Sequence, residues 1–266
     1  APQLQLAMFH TIFNVLTVIM VLPLTSPLVK LVTKIVPDKK NERSNDAPHL
    51  EFIEQHMLAA PPVAIMQVKN EIMNMAEIAN ENFNIACDLI CTLDYKDIAR
   101  FRKNELTLDF LNRELNRFAV ALLKADLGEK DRIYLSTAIR SAADLERIGD
   151  YAENITEYSD KLRDSGAIFS DAAVKEIAGL KETVNSLFAA VMKTYKDGDG
   201  RALEDVLDIE DRVDSVTESM ANFHVERLER GECTPESGAQ FLSLAANIER
   251  IADHYVNVAK TVKTYS

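Results

Sequence analysis

At 266 residues the chain is long enough to bury a substantial core, and the absence of Trp with only 8 Gly and 8 Pro points to long, uninterrupted elements. A net charge of −12 makes it a poor nucleic-acid binder, a function that neutralises phosphates with Lys and Arg, and suits it better to cations. Three cysteines, Cys87, Cys91 and Cys233, are too few and too uneven for a disulfide framework and fit a reducing compartment.

The charge is unevenly spread. Residues 1–48 carry five basic and three acidic side chains, whereas the remainder is strongly acidic. The chain opens at Ala1 without Met and reads as the C-terminal part of something longer. Residues 1–29 hold no charged side chain, and the mostly apolar run Leu4 to Leu24 is about the length that crosses a bilayer as a helix. His10, Thr11 and Asn14 interrupt it, with His10 and Asn14 on one face. The segment Pro27–Pro37 reads as amphipathic or interfacial. With Lys30, Lys34, Lys39, Lys40 and Arg43 following the apolar run, the positive-inside rule puts the chain from about residue 38 in the cytoplasm. Polar residues 38–50 read as a linker, and Leu50–Ala60 as a short docking helix or more linker.

From Pro62 the pattern is helical almost without a break, because no Pro occurs between Pro62 and Pro235. Helices are expected over about 62–91, 95–124, 130–163, 171–196 and 201–229, with a last one from Thr234-Pro235 toward Val262. Glycines mark the stops at Gly128, Gly166, Gly198 and Gly231. Leu108, Leu111, Leu115, Phe118 and Leu122 recur at intervals of 3 and 4, as do Phe241, Leu244, Ile248, Ile251, Tyr255, Val258 and Val262. Such stripes bury helices against one another. Cys87 and Cys91, one turn apart, are expected as small core residues rather than half a thiolate site.

The helices form an internal repeat. Asp144-Leu-Glu-Arg-Ile-Gly-Asp-Tyr-Ala-Glu-Asn154 is echoed by Asn247-Ile-Glu-Arg-Ile-Ala-Asp-His-Tyr-Val-Asn257. Residues four apart share a helix face, so Glu146, Asp150 and Asn154 form one oxygen-rich stripe, and Glu249, Asp253 and Asn257 another. Preceding helices carry Glu105/Asp109 and Glu210/Asp214. A turn between helices can bring the two pairs of each unit level, giving four carboxylates at one seam. Hard cations take carboxylate oxygens, and clustered carboxylates bridge several ions. Any single pair is more commonly a solvated face; four pairs in a duplicated unit favour metal. Salt bridges through Arg147 and Arg250 are the rival. His224 and His254 are each more commonly surface or structural than nitrogen ligands. Glu-x-x-His is missing, as are a phosphate-cradling Gly loop, a nucleophile elbow and a triad, so no enzymatic activity is expected.

The duplicated three-helix unit, with its Leu-Glu-Arg-Ile-Gly-Asp-x-Ala-x-Asn segment, resembles the PhoU family over roughly residues 62–265. The resemblance implies an all-α fold of tandem three-helix bundles with six long helices. It also implies divalent or ferric metal ions in multinuclear clusters, held by Glu105, Asp109, Glu146, Asp150, Glu210, Asp214, Glu249 and Asp253. The stretch Ala7-Met-Phe-His-Thr-Ile-Phe-Asn14 followed by Leu22-Pro-Leu looks like the last membrane segment of bacterial Na+/phosphate cotransporters. That second resemblance implies a last transmembrane helix and interfacial segment at 1–37, a linker or docking segment at 38–61, and PhoU-like repeats at 62–166 and 167–266.

The expected function is then a cytoplasmic, metal-binding regulatory domain of a sodium-dependent inorganic phosphate transporter in the inner membrane. Its partners would be the membrane, the rest of the transporter's membrane domain, and phosphate and sodium as species transported by the full protein. A homodimer is compatible with the family; nucleic acid is not expected. The alternative is a soluble PhoU-type adaptor regulating a phosphate ABC transporter and its sensor kinase.

Overall fold

Local signals start and stop each helix. A computed structural model describes residues 2–21, 47–198 and 202–265, which contain seven long helices: α1 (Pro2–Val21), α2 (Pro61–Thr92), α3 (Ile98–Leu122), α4 (Glu129–Ser165), α5 (Asp171–Asp197), α6 (Leu203–Glu229) and α7 (Pro235–Tyr265). Proline opens α2 and α7, where its missing N–H costs nothing. Ser170 caps α5 by accepting from the Ala173 N–H. Thr234 and Ser237 cap α7 reciprocally, each backbone N–H donating to the other's hydroxyl at 3.2 Å. Gly166 and Gly198 terminate α4 and α5 at positive φ. The helix expected over 95–124 begins one turn late, after a 3-10 turn at Tyr95–Asp97.

Two compact units are present, Ala1–Ala47 and Pro48–Ser266. In the first, the described side chains of α1 run from Met8 to Met20 and are exposed. Asn14 and His10 share a side-chain hydrogen bond of 3.3 Å, and Thr17 bonds back to the Phe13 carbonyl. Among the described residues no helix is long and apolar enough to cross a membrane. The expected transmembrane helix is therefore not supported; polar His10, Thr11, Asn14 and Thr17 break the apolar run. The segment Pro27–Pro37 and the basic cluster from Lys30 to Arg43 lie outside the described residues.

In the second unit the two three-helix repeats interlock. The most extensive packing is between α4 and α7, the third helix of each repeat. They run antiparallel, as the cross-links Ser141–Thr261, Asp144–His254 and Asn154–Asn247 show. Buried positions recur in both helices at one offset: Leu145 with Ile248, Ile148 with Ile251, Ala152 with Tyr255, Ile155 with Val258. The first helices repeat likewise, Ile72 with Ile177, Met75 with Leu180, and Ala79 with Val184. Between them Asn84 and Asn185 exchange amide hydrogen bonds of 3.0 and 2.9 Å, and the buried Tyr255 hydroxyl donates to Asn80 at 3.1 Å.

Leu50–Ala60 is docked: its 3-10 turn Gln55–Ala59 rests on α2 and α3, Ile53 is buried, and the Phe52 N–H donates to fully buried Glu71 at 2.9 Å. Cys87 is buried and Cys91 half-buried; both are free, and burial pushes both thiols up, away from the thiolate. Phe118 is buried, but its repeat partner Phe223 is half exposed.

Because the repeats share one core, Ile148→Ala should destabilise both together by about 3 kcal/mol. Urea unfolding followed by circular dichroism should show one transition at lower urea; two separate transitions would count against a shared core.

Candidate metal centre

Each half of the second unit builds an acidic seam from its second and third helices. In the first half, Glu105 and Asp109 project from α3 and Glu146 and Asp150 from α4. Helix α4 admits α3 closely because residue 149 is Gly: a Cβ there would stand 2.8 Å from Leu108 Cδ1 and 2.9 Å from Glu105 Oε1. From α2, buried Asn82 donates through Nδ2 to Glu105 Oε1 at 2.7 Å and to the Phe101 carbonyl at 3.2 Å. Its own Oδ1 is buried without a hydrogen-bond partner.

The four carboxylates feel one another. Burial pushes the Glu105 carboxyl up to about 7; Glu153, Asp150 and Asp109 add repulsion, and the Asn82 hydrogen bond opposes it. Burial also raises Glu146, helped by Asp150 and Asp109 and opposed by Arg147. Asp150 is raised by burial and then by Asp109, while Arg147 and His254 pull the other way. The first seam therefore converges electrostatically, and a side chain from the other repeat reaches it. His254 is held by a 2.8 Å contact from Nδ1 to Asp144 and stacks on Tyr151 at 5.6 Å.

The second seam repeats the arrangement in a wetter setting. Burial raises Glu210, with Asp214, Asp253 and Asp211 repelling and Lys260 opposing. Asp214 is raised by burial and by Asp253 and Asp211. Exposed Glu249 lies 3.5 Å from Thr217 Oγ1 and shares a groove with Asp214. Leu187 stands where the first half has Asn82, and Ala252 where it has Gly149, so the second half lacks the amide side chain that holds Glu105 and the glycine that admits it.

All eight expected residues thus sit on facing helices in two seams. They do not close into a cage: among the described residues, no three His, Cys, Asp or Glu side chains converge tightly enough to hold a metal ion. Asp109, Asp150, Asp214, Glu249 and Asp253 are exposed on helix surfaces. Two stripe members are directed elsewhere. Asn154 donates to Asn247 at 3.3 Å, and Asn257 lines a groove with Arg140 and Lys260. Of the salt-bridge rival, Arg147 attracts Glu146 and Asp150 electrostatically, but among the described residues neither Arg147 nor Arg250 closes an ion pair. Asn82 and Glu153 were not visible as members of the seam: Asn82 lies on α2, with no spacing signal linking it to Glu105. His224 is a packed residue. It is buried against Gly238 and packs at a tilt on Phe241, over whose ring lies the guanidinium of Arg227, itself paired with Glu176.

The PhoU domain model matches residues 72–159 and 177–262, one match on each repeat. The chain belongs to the PhoU family. It is similar to phosphate-specific transport system accessory protein PhoU homolog 1 of Thermotoga maritima, 24% identical over 203 residues, covering 73% of this chain and 84% of that one. It is equally similar to the PhoU homolog of Xylella fastidiosa, 24% identical over 209 residues, covering 78% and 85%. Its fold matches PhoU of Pseudomonas aeruginosa with a TM-score of 0.68 at 19% identity, covering 75% of this chain and 95% of that one. The PhoU of Streptococcus pneumoniae gives 0.69 at 13%, covering 77% and 96%.

These relatives are named accessory proteins of phosphate-specific transport systems. The expected role as the tail of a sodium/phosphate cotransporter, and with it the inner-membrane location, is corrected on that finding and on the absence of a membrane-crossing helix among the described residues. The match at Ala7–Asn14 spans only eight residues, three of them the polar His10, Thr11 and Asn14 that interrupt the apolar run.

For Glu105 the sign of the pH dependence follows from its raised pKa. Between about 4.5 and 7 the folded state holds a proton that the unfolded state has lost, so stability falls as pH rises through that window. Glu105→Gln keeps an acceptor for Asn82 and removes the charge. In chelator it should be more stable than the parent at pH 8, by about 2 kcal/mol, and nearly equal at pH 4. Thermal melts at the two pH values check this.

Proposed function

We propose that the chain is an accessory regulator of a phosphate-specific transport system, an adaptor rather than a catalyst, whose two acidic seams take hard metal cations. The observation that carries the reading is the level pairing of Glu/Asp pairs across α3/α4 and again across α6/α7 in a PhoU-family chain. The relatives' printed role supports the transport-system context. The adaptor would act on an ABC-type phosphate transporter and its sensor kinase.

The chemistry of the donor set fits a cation. Every candidate is a carboxylate, and several are raised by burial first and by repulsion from neighbouring carboxylates second. A bound ion would supply the positive charge that makes this crowding favourable. Glu105, Asp109, Glu146 and Asp150 would hold it in the first half, and Glu210, Asp214, Glu249 and Asp253 in the second. Asn82 fixes Glu105 in place, and exposed partners such as Asp109 and Asp150 are free to turn onto an ion. Occupancy would relieve the repulsion between helices and stiffen each three-helix unit, giving the regulator two states of different rigidity.

The test compares the parent chain with Glu146→Gln/Glu249→Gln. After dialysis against Mn2+ or Fe3+, elemental analysis should show bound metal in the parent and at least a tenfold loss of affinity in the double variant. In cells whose own PhoU gene is replaced, phosphate uptake should shift between the two. Metal content and uptake both unchanged would sink the reading.

A further inference from the structure

We infer that the groove between α6 and α7 is a docking site for an amphipathic, basic helix of a partner protein. The groove is lined by Asp214, Thr217, Glu218 and Ala221 from α6, and by Leu242, Ala245, Ala246 and Glu249 from α7. Along α6, Asp214, Glu218, Ala221, Val225 and Leu228 follow one another at intervals of 3 and 4, so they form one stripe. That stripe changes character along its length. It is acidic toward the start of α6 and apolar toward its end, where Val225 and Leu228 are exposed at 53% and 43%. Across the groove α7 does the same, from Glu249 through Ala246 to Leu242, exposed at 40%.

The occupant follows from charge and shape. Asp214 and Glu218 close no ion pair among the described residues, and the chain carries a net charge of −12. Three carboxylates beside small and apolar side chains repel an anionic lipid surface and attract Lys and Arg. Small Ala221, Ala245 and Ala246 leave room for large apolar side chains from outside, the pattern of a helix laid in a groove. From Asp214 to Leu228 the stripe is about 21 Å long, enough for roughly four helical turns. A partner helix with Leu- or Phe-type residues along one face and Lys or Arg clustered at one end matches it.

The first repeat does not offer the same surface. At the positions matching Glu218 and Ala221 it has Arg113 and Asn116; Arg113 pairs with Glu114 at 3.4 Å, and Asn116 donates to Asn112 at 2.8 Å. The dock is therefore single in a chain whose acidic seams are double. It goes beyond the metal reading and does not require a cation, although it shares Asp214 and Glu249 with the second seam.

The test uses the full chain in chelator, so that failure of metal binding and failure of docking are read separately. A fluorescently labelled 18-residue helix of Leu and Lys, amphipathic and lysine-rich at one end, is titrated by anisotropy. A Leu/Glu helix and a Ser/Lys helix of equal charge serve as controls. Glu218→Lys/Ala246→Arg changes two exposed groove positions outside the metal set; Glu182→Lys, on exposed α5 surface, is the control variant. Micromolar binding of the Leu/Lys helix, at least tenfold weaker for the groove variant and unchanged for Glu182→Lys, is expected. Equal binding by the Ser/Lys helix, equal loss in both variants, or no binding would overturn the proposal. So would a concentration-dependent dimer abolished by the groove variant, which would make the occupant a second copy of the chain.

Discussion

The structure depends on the antiparallel contact between α4 and α7. Each is the third helix of its repeat, each carries an acidic motif, and each buries a nearly continuous apolar face against the other. Buried residues of both repeats belong to one core. The cross-links Ser141–Thr261, Asp144–His254 and Asn154–Asn247 hold the register between them, and a one-turn slip would leave buried polar groups unpaired. Sliding is therefore costly, and both motifs are fixed on the same rigid pair of helices.

That rigidity lets the protein hold carboxylates where they repel. A flexible surface would let Glu105 swing into water, but Asn82 grips it from α2, and the missing side chain at Gly149 lets it lie against α4. The free energy for this comes from apolar burial elsewhere along the same helices. The two halves differ. With Leu187 in place of Asn82, the second seam lacks the amide side chain that holds Glu105, and its carboxylates are more exposed.

Divergence between the repeats extends to their surfaces. Phe118 is buried in the first repeat, where the extra segment ending in Gln55–Ala59 rests on α2 and α3; Phe223 is half exposed in the second, which has no such segment between α4 and α5. A duplicated fold has in this way kept the acidic pairs in both halves while its surfaces diverged.

Much of the fold was legible in the residue order. The 3-and-4 spacing of apolar side chains, the cap at Thr234, and the glycines that close α4 and α5 are local signals, decided by backbone chemistry over a few residues. The duplicated Glu-Arg-Ile-small-Asp motif is likewise a short-range pattern; it marks Glu146, Asp150, Glu249 and Asp253, while Glu105/Asp109 and Glu210/Asp214 are separate pairs on the preceding helices. Apolar composition at the N-terminus misled, because hydrophobicity over twenty residues does not state what the helix is buried in. What only the tertiary structure decided were the relations between distant helices: Asn82 beneath Glu105, His254 beside Asp150, the burial that lifts Glu105 and the open carboxylates that stop short of a cage. Those depend on distances between residues far apart in the chain, set by how side chains interlock in three dimensions and leaving no periodic trace in the sequence.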